Sequence, residues 1–268
     1  MALHRFMASL ALALIAATPA FAKDLRDYCP ERPGLDTPPC IVDAGHVSVE
    51  TALVDWTLER DGQSRTDTVL LGDTLVRVGL TDTIEAQIGW TPYGHVRERD
   101  RMTGAIARTG RVGDVTLGFK ASLMNPGGDG TSIAIDPFVT LPVGRSPVGA
   151  GDWGAGVRLP IGLSLNDALS LSLTPEIDAA VDQDGNGRHA AYGSAVGLNL
   201  KFNEKLSGSA ELAAFRDDDP SGHSTQAFGA LSLGWQPIDD LQLDVGATAG
   251  LNRKSPDVEL YAGVSRRF

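Results

Sequence analysis

Four histidines follow residue 45, at His46, His95, His189 and His223, in a chain well supplied with serine. A hydrolase of the serine type needs a nucleophile, an imidazole base and an orienting carboxylate within reach of one another. Gly193-Ser194 and Gly222-His223-Ser224 lie near expected loops, but no Gly-x-Ser-x-Gly nucleophile motif is present. Scattered histidines of this kind are read first as ordinary loop residues. Asp182-Gln183-Asp184-Gly185-Asn186-Gly187 places oxygen-bearing side chains at alternate positions, as a calcium loop does. Its twelfth position would be Gly193, where an EF-hand needs a bidentate Glu, and Asp-Gly and Asn-Gly are common turn residues. Calcium binding by this loop is left open. There is no phosphate-cradling loop, zinc spacing or dinucleotide fingerprint. The expectation is a non-enzyme with no cofactor and no resident metal.

The first 22 residues are read as an export signal. A short basic stretch (His4, Arg5) precedes an apolar run from Phe6 to Ala17, then Thr18-Pro19 and Ala20-Phe21-Ala22, with cleavage expected before Lys23. Export to an oxidising compartment bears on Cys29 and Cys40, the two cysteines of the chain, eleven positions apart in a Pro-rich stretch. They are read as one disulfide. Closing such a loop stabilises by about 3 kcal/mol in the chain-entropy model. Residues 23–45 are expected to form a periplasmic N-terminal segment carrying that bridge. The net charge of −11 gives no basic footprint for nucleic acid. After the signal, no apolar run approaches the eighteen residues of a membrane-crossing helix.

The elements that would position any chemistry are strands. From His46 onward a period of two dominates. Val115, Leu117, Phe119, Ala121 and Leu123 alternate with Asp114, Thr116, Gly118, Lys120 and Ser122. Leu241, Leu243, Val245, Ala247 and Ala249 alternate with Gln242, Asp244, Gly246 and Thr248. Such alternation makes one strand face apolar and the other polar. Twelve segments show it, near 46–58, 67–79, 83–92, 113–124, 131–142, 153–164, 168–181, 190–202, 206–216, 225–236, 241–251 and 257–268. Short connections alternate with longer polar ones, among them 93–112, with Arg97, Arg99, Arg101, Arg108 and Arg111. An even strand count with this alternation predicts an all-β fold, an antiparallel up-and-down transmembrane barrel of about twelve strands spanning residues 46–268. Both termini would lie on the periplasmic side. Aromatics at strand ends (Trp56, Trp90, Tyr93, Trp153, Tyr192, Phe202, Trp235) suit interfacial girdles. The final strand stops on the aromatic Phe268, as a partner of barrel-assembly machinery would require.

The polar parity then assigns the lumen. Its acids are Glu50, Asp73, Glu85, Asp114, Asp136, Glu176, Asp178, Glu211, Asp244 and Glu259; its bases include Arg77, Lys120, Arg158 and Lys201, with Arg267 at the last strand's end. An open bore so lined would disfavour anions, whereas mutual pairing would plug it. Twelve strands sit between barrels filled by side chains and wide porins, so both outcomes stay open. The arginines of 93–112 either meet anionic lipopolysaccharide, gate the mouth, or are simply solvated.

Several short runs also resemble a known family. They are Arg32-Pro33-Gly34-Leu35-Asp36-Thr37-Pro38 leading into Val49-Glu50-Thr51, Leu80-Thr81-Asp82-Thr83-Ile84-Glu85, Gly113-Asp114-Val115, Phe138-Val139-Thr140-Leu141-Pro142-Val143-Gly144, and Glu259-Leu260-Tyr261-Ala262-Gly263-Val264. Over roughly residues 30–268 the chain resembles the outer-membrane transporter family labelled for the MetA pathway of phenol degradation. The resemblance implies passage of small, in some cases aromatic, molecules across a bacterial outer membrane, and it transfers no catalytic residue. The rival expectations are an outer-membrane lipid hydrolase and a non-conducting structural barrel.

Overall fold

A computed structural model describes residues 25–268. The export signal expected over 1–22 lies outside the described residues. Among them are sixteen strands and no helix. The strands assemble into twelve staves, because four staves are each made of two strands in line. β1 (Val47–Arg60) is the first stave, and β2 (Ser64–Leu71) continues through Gly72 into β3 (Asp73–Thr81) as the second. β4 (Ile84–Trp90) with β5 (Tyr93–Asp100) is the third. β6 (Ile106–Arg111) with β7 (Val115–Met124) is the fourth, and β8 (Thr131–Leu141) the fifth. β9 (Gly154–Arg158) and β10 (Ile161–Ser164) share the sixth. β11 (Leu169–Val181), β12 (Arg188–Lys201), β13 (Leu206–Asp217), β14 (Ser224–Ile238), β15 (Leu241–Gly250) and β16 (Val258–Arg267) complete the wall.

Every neighbour is antiparallel, and β16 pairs with β1 from Ser48↔Arg267 to Leu58↔Val258, which closes the barrel and removes the sheet edges there. Breaks within staves fall where the chemistry requires them. Pro92 and Pro160 carry no N–H for a ladder, and Gly72 turns at a positive φ of 71°.

Burial is inverted relative to a water-soluble protein. The largest fully buried side chains include Arg77, Lys120, Glu50, Glu85 and Asp136. The apolar parity faces outward: Leu212 is 63% and Leu231 66% exposed, with Phe119, Leu171, Leu198, Leu243 and Val245 also open. A soluble barrel would leave this whole outer surface as an apolar patch far larger than soluble proteins carry. A lipid-facing band is the arrangement that satisfies it. Exposed Trp90, Tyr93, Trp153 and Tyr192 ring the long-loop end, and Phe202, Trp235 and Phe268 the short-turn end.

Two expectations need correction. The connection 93–112 is largely not a loop: β5 and β6 pair from Gly94↔Arg111 to Arg99↔Ile106, and β5 pairs with β2. Together with the far half of β1 they extend the wall beyond the rest of the rim. The segment before the first strand, expected as a periplasmic stretch over 23–45, is also placed differently over its described residues. It runs inside the barrel.

Candidate functional site

The bore is occupied by residues 28–43, held by side chains that the alternation turned inward. Arg77, on β3, uses all five donors of its guanidinium. Nε donates to Glu85 Oε1 at 2.8 Å and Nη2 to Glu85 Oε2 at 3.0 Å, the two-pronged geometry that suits guanidinium and carboxylate. Nη1 donates to Glu50 Oε1 at 3.1 Å. The remaining donors reach the carbonyls of Cys29 (2.9 Å) and Cys40 (3.0 Å). Those two residues form a disulfide with 6.4 Å between their α-carbons, so Arg77 grips both ends of one covalent loop.

Glu50 and Glu85 in turn receive the plug's backbone. The amides of Glu31 (2.7 Å) and Arg32 (3.1 Å) donate to Glu50 Oε2, and Val42 N donates to Glu85 Oε2 at 2.7 Å. Lys120, on β7, donates to Glu31 Oε1 at 2.5 Å and to the Pro38 carbonyl at 3.0 Å. An extended segment has no ladder of its own, and buried backbone groups must find partners. Here the wall's carboxylates, Arg77 and Lys120 supply them. Burial alone would raise the carboxyl of Glu31, but the ammonium of Lys120 and the guanidinium of Arg77 prevail and hold it below the usual carboxylate range.

The opposite wall holds the plug by fewer charges. Arg32 Nη2 donates to Asp244 Oδ1 at 2.8 Å, and its guanidinium lies 5.5 Å from the ring centre of Tyr261. Leu35 N donates to Glu211, and Thr37 exchanges two hydrogen bonds with Thr174. Asp36 is buried beside Ser172 and Glu211; burial pushes its carboxyl up, and the Ser172 hydrogen bond offsets that only in part. Inward glycines make room. A β-carbon at Gly263 would stand 2.5 Å from Arg32 Nε, and one at Gly197 would stand 2.9 Å from Asp36 Oδ2. At the short-turn end Arg267 pairs with Asp43 at 3.2 Å and with Asp240 at 2.7 Å.

Towards the long-loop end the plug stops and a cavity of about 250 Å³ opens. Its lining includes Glu31, Leu75, Gln87, Phe138 and Arg158. Arg158 lies 4.4 Å over the Phe138 ring and bridges Asp136 (3.0 Å) and Glu176 (3.2 Å). Asp73 and Asp114 also face this space. Asp73 accepts from Thr91, whereas Asp114 accepts the amides of Gly144 and Ala150 and so fixes the connection after β8. Asp178 and Glu259 are half-buried on the same parity. Lys201 is exposed at the short-turn rim, away from these groups. The sequence-assigned residues thus fall into two gatherings (Glu50, Arg77, Glu85, Lys120; then Asp136, Arg158, Glu176), with Glu211 and Asp244 opposite. Sequence reasoning missed Glu31, Arg32 and Asp36. The available signal was the acid excess of the wall, which called for donors from somewhere.

The histidines sit elsewhere. His46 Nδ1 faces the Ala44 carbonyl at 3.2 Å, and His223 pairs with Asp218. His189 is enclosed by Asp182 (2.9 Å), Asp217 (3.1 Å) and Asp219 (3.5 Å). Among the described residues no histidine is hydrogen-bonded to a serine. Ligand atoms of Asp182, His189 and Asp219 lie within 4.8 Å of one another. Of the loop 182–187, whose calcium binding the sequence leaves open, only Asp182 joins them; Asp184 accepts from Asn186 within its own turn. Asp219 also accepts the amide of Gln183, so the cluster fastens two long loops together.

Two solved structures resemble this architecture. The NanC porin matches with a TM-score of 0.50 at 9% identity, covering 82% of this chain and 98% of its own. The translocator domain of autotransporter NalP from Neisseria meningitidis matches with a TM-score of 0.50 at 13% identity, covering 84% and 89%. One is a porin and the other a translocator domain, so the likeness is one of fold. None of the curated proteins matches the chain in sequence. A family model, in contrast, matches residues 31–268, from the plug through the last strand. The chain belongs to the family described as "Putative MetA-pathway of phenol degradation".

Proposed function

We propose that this protein is a channel of the bacterial outer membrane for small molecules, with residues 28–43 setting the width of its bore. The observation that carries the reading is the cavity of about 250 Å³ above the plug, inside a closed barrel whose outside is apolar. Its volume suits one small molecule. The Phe138 ring under Arg158 offers a flat apolar surface beside charged groups, which favours a planar, polar-substituted solute such as a phenol. The alternation of short and long connections supports an orientation with the long loops outside the cell and the termini in the periplasm. Family membership supports passage of this kind.

A second reading has its own support. The plug's hydrogen bonds and ion pairs fill the half of the bore near the termini, as they would in a barrel that conducts nothing. Flux into proteoliposomes separates the two. The channel reading predicts that the protein adds to the rate of phenol entry, over that into protein-free vesicles, more than it adds for a sugar of similar size, and that Phe138→Ala reduces this preference several-fold. No added entry of either solute would favour the structural barrel.

A further inference from the structure

The extended rim carries an unusual row of like charges. In the register of β1, β2 and β5, Arg60 lies opposite Arg65, and Arg65 opposite Arg99. One rung below, Asp67 lies opposite Arg97, and Arg97 opposite Arg108 on β6. Residues directly opposite point to the same face, and like charges so placed are destabilising. That face is the outer one. It continues the parity of Trp56 and Val69, whereas Asp55 and Thr57 point inward with their partners Tyr261 and Glu259.

Five guanidinium groups therefore share one outward patch with two carboxylates. Asp67 serves both Arg65 (2.8 Å) and Arg97 (3.3 Å), and Asp257 serves Arg60 (3.2 Å). Arg99 and Arg108 are exposed, and neither forms an ion pair among the described residues. The patch starts four residues beyond Tyr93, whose exposed ring belongs to the aromatic girdle at the hydrocarbon boundary. At about 3.3 Å per residue this sets the arginines at headgroup height. The upper row crosses three strands, about 10 Å at the usual strand spacing.

We infer that this patch binds phosphate groups of an outer-leaflet glycolipid. Arginine forks match phosphate oxygens in pairs, which would remove the repulsion that the register builds in. The inference rests on the barrel spanning an outer membrane but not on conduction. A protein that retains the lipid and passes no solute leaves it standing.

The test uses the full-length mature protein in detergent, titrated with lipid A and followed by native mass spectrometry. The wild type should retain lipid A in preference to its dephosphorylated form by about tenfold or more. Arg99→Gln with Arg108→Gln should lower lipid A retention by about tenfold, while Arg99→Lys with Arg108→Lys should recover part of it. Arg253→Gln, an exposed arginine on another loop, should leave it unchanged. Heat-modifiable migration on gels confirms that each variant is folded. Equal retention of the phosphorylated and dephosphorylated lipids, or an undiminished Gln variant, would overturn the inference. Equally tight binding of soluble glucosamine phosphate would overturn the lipid as the source of the phosphate.

Discussion

The two halves of the wall fold by the same alternation yet hold the plug by different means. From β1 to β10 four of the six staves are interrupted, at Gly72, Pro92, Val112–Asp114 and Pro160, and their inner face carries Glu50, Arg77, Glu85, Lys120, Asp136 and Arg158. From β11 to β16 the strands run unbroken for ten to fifteen residues, and their inner face is mostly small residues (alanine, glycine, serine and threonine) with amides, aromatics, a few acids and Arg267. The first half grips by charge, and the second receives by leaving room. Buried ion pairs demand fixed geometry and complete hydrogen bonding. Small residues demand neither, so regular hairpins suffice there. One bore thus combines a specific lock with a permissive seat.

The sharpest way to break this contrast is Arg77→Met. It leaves Glu50 and Glu85 buried without their cation and frees the Cys29 and Cys40 carbonyls, at a cost of about 3–5 kcal/mol. Urea unfolding of the barrel in lipid vesicles should register it. A loss below 1 kcal/mol would deny that the first half is the lock. Next is the outside of the regular half. Leu231→Arg, if its site faces mid-membrane lipid, should cost about 2–4 kcal/mol in the same measurement, whereas Thr248→Arg, on the lumen side, should cost less and shift ion selectivity. The seat is probed by Gly263→Val. The added methyl groups collide with Arg32 and should cost about 1–3 kcal/mol. Faster exchange of the Leu35 and Thr37 amides, with that of Val42 unaffected, would show that the two grips act separately.

The smallest effect is set by pH. Because the carboxyl of Glu31 is held below its ordinary value of about 4.3, its ionised form stabilises the plugged state. That contribution is complete above the ordinary value and is lost as pH falls through the lowered one. Exchange protection of the plug amides should therefore decline on acidification below about pH 4. Glu31→Gln should show weaker protection at neutral pH and a flatter acid response. An unchanged response in that variant would transfer the effect to other carboxyls.

The wall was readable because a membrane sharpens its own signal. Leu117, Phe119, Leu243 and Val245 alternate with polar neighbours since hydrocarbon lies on one side and the bore on the other. Where both faces are wet that signal vanishes. Arg97-Glu98-Arg99-Asp100 carries no apolar parity, so β5 read as loop although it is strand. The plug escaped for a related reason. Residues 28–43 have no period of their own, and their Pro-rich composition looks like a linker. Their partners are carboxylates far along the chain, such as Glu211, 176 residues from Leu35. The lumen-directed parity of Arg77 and Glu85 was visible, but what they grip was not.

The central claim, that residues 28–43 narrow the bore, is tested most directly in planar bilayers. Single-channel conductance is compared between the mature protein and a chain lacking residues 25–42, each confirmed as a folded barrel by circular dichroism. Small steps from the intact protein and steps several-fold larger from the shortened chain are expected. Equal conductance in the two would contradict a plug that occupies the bore.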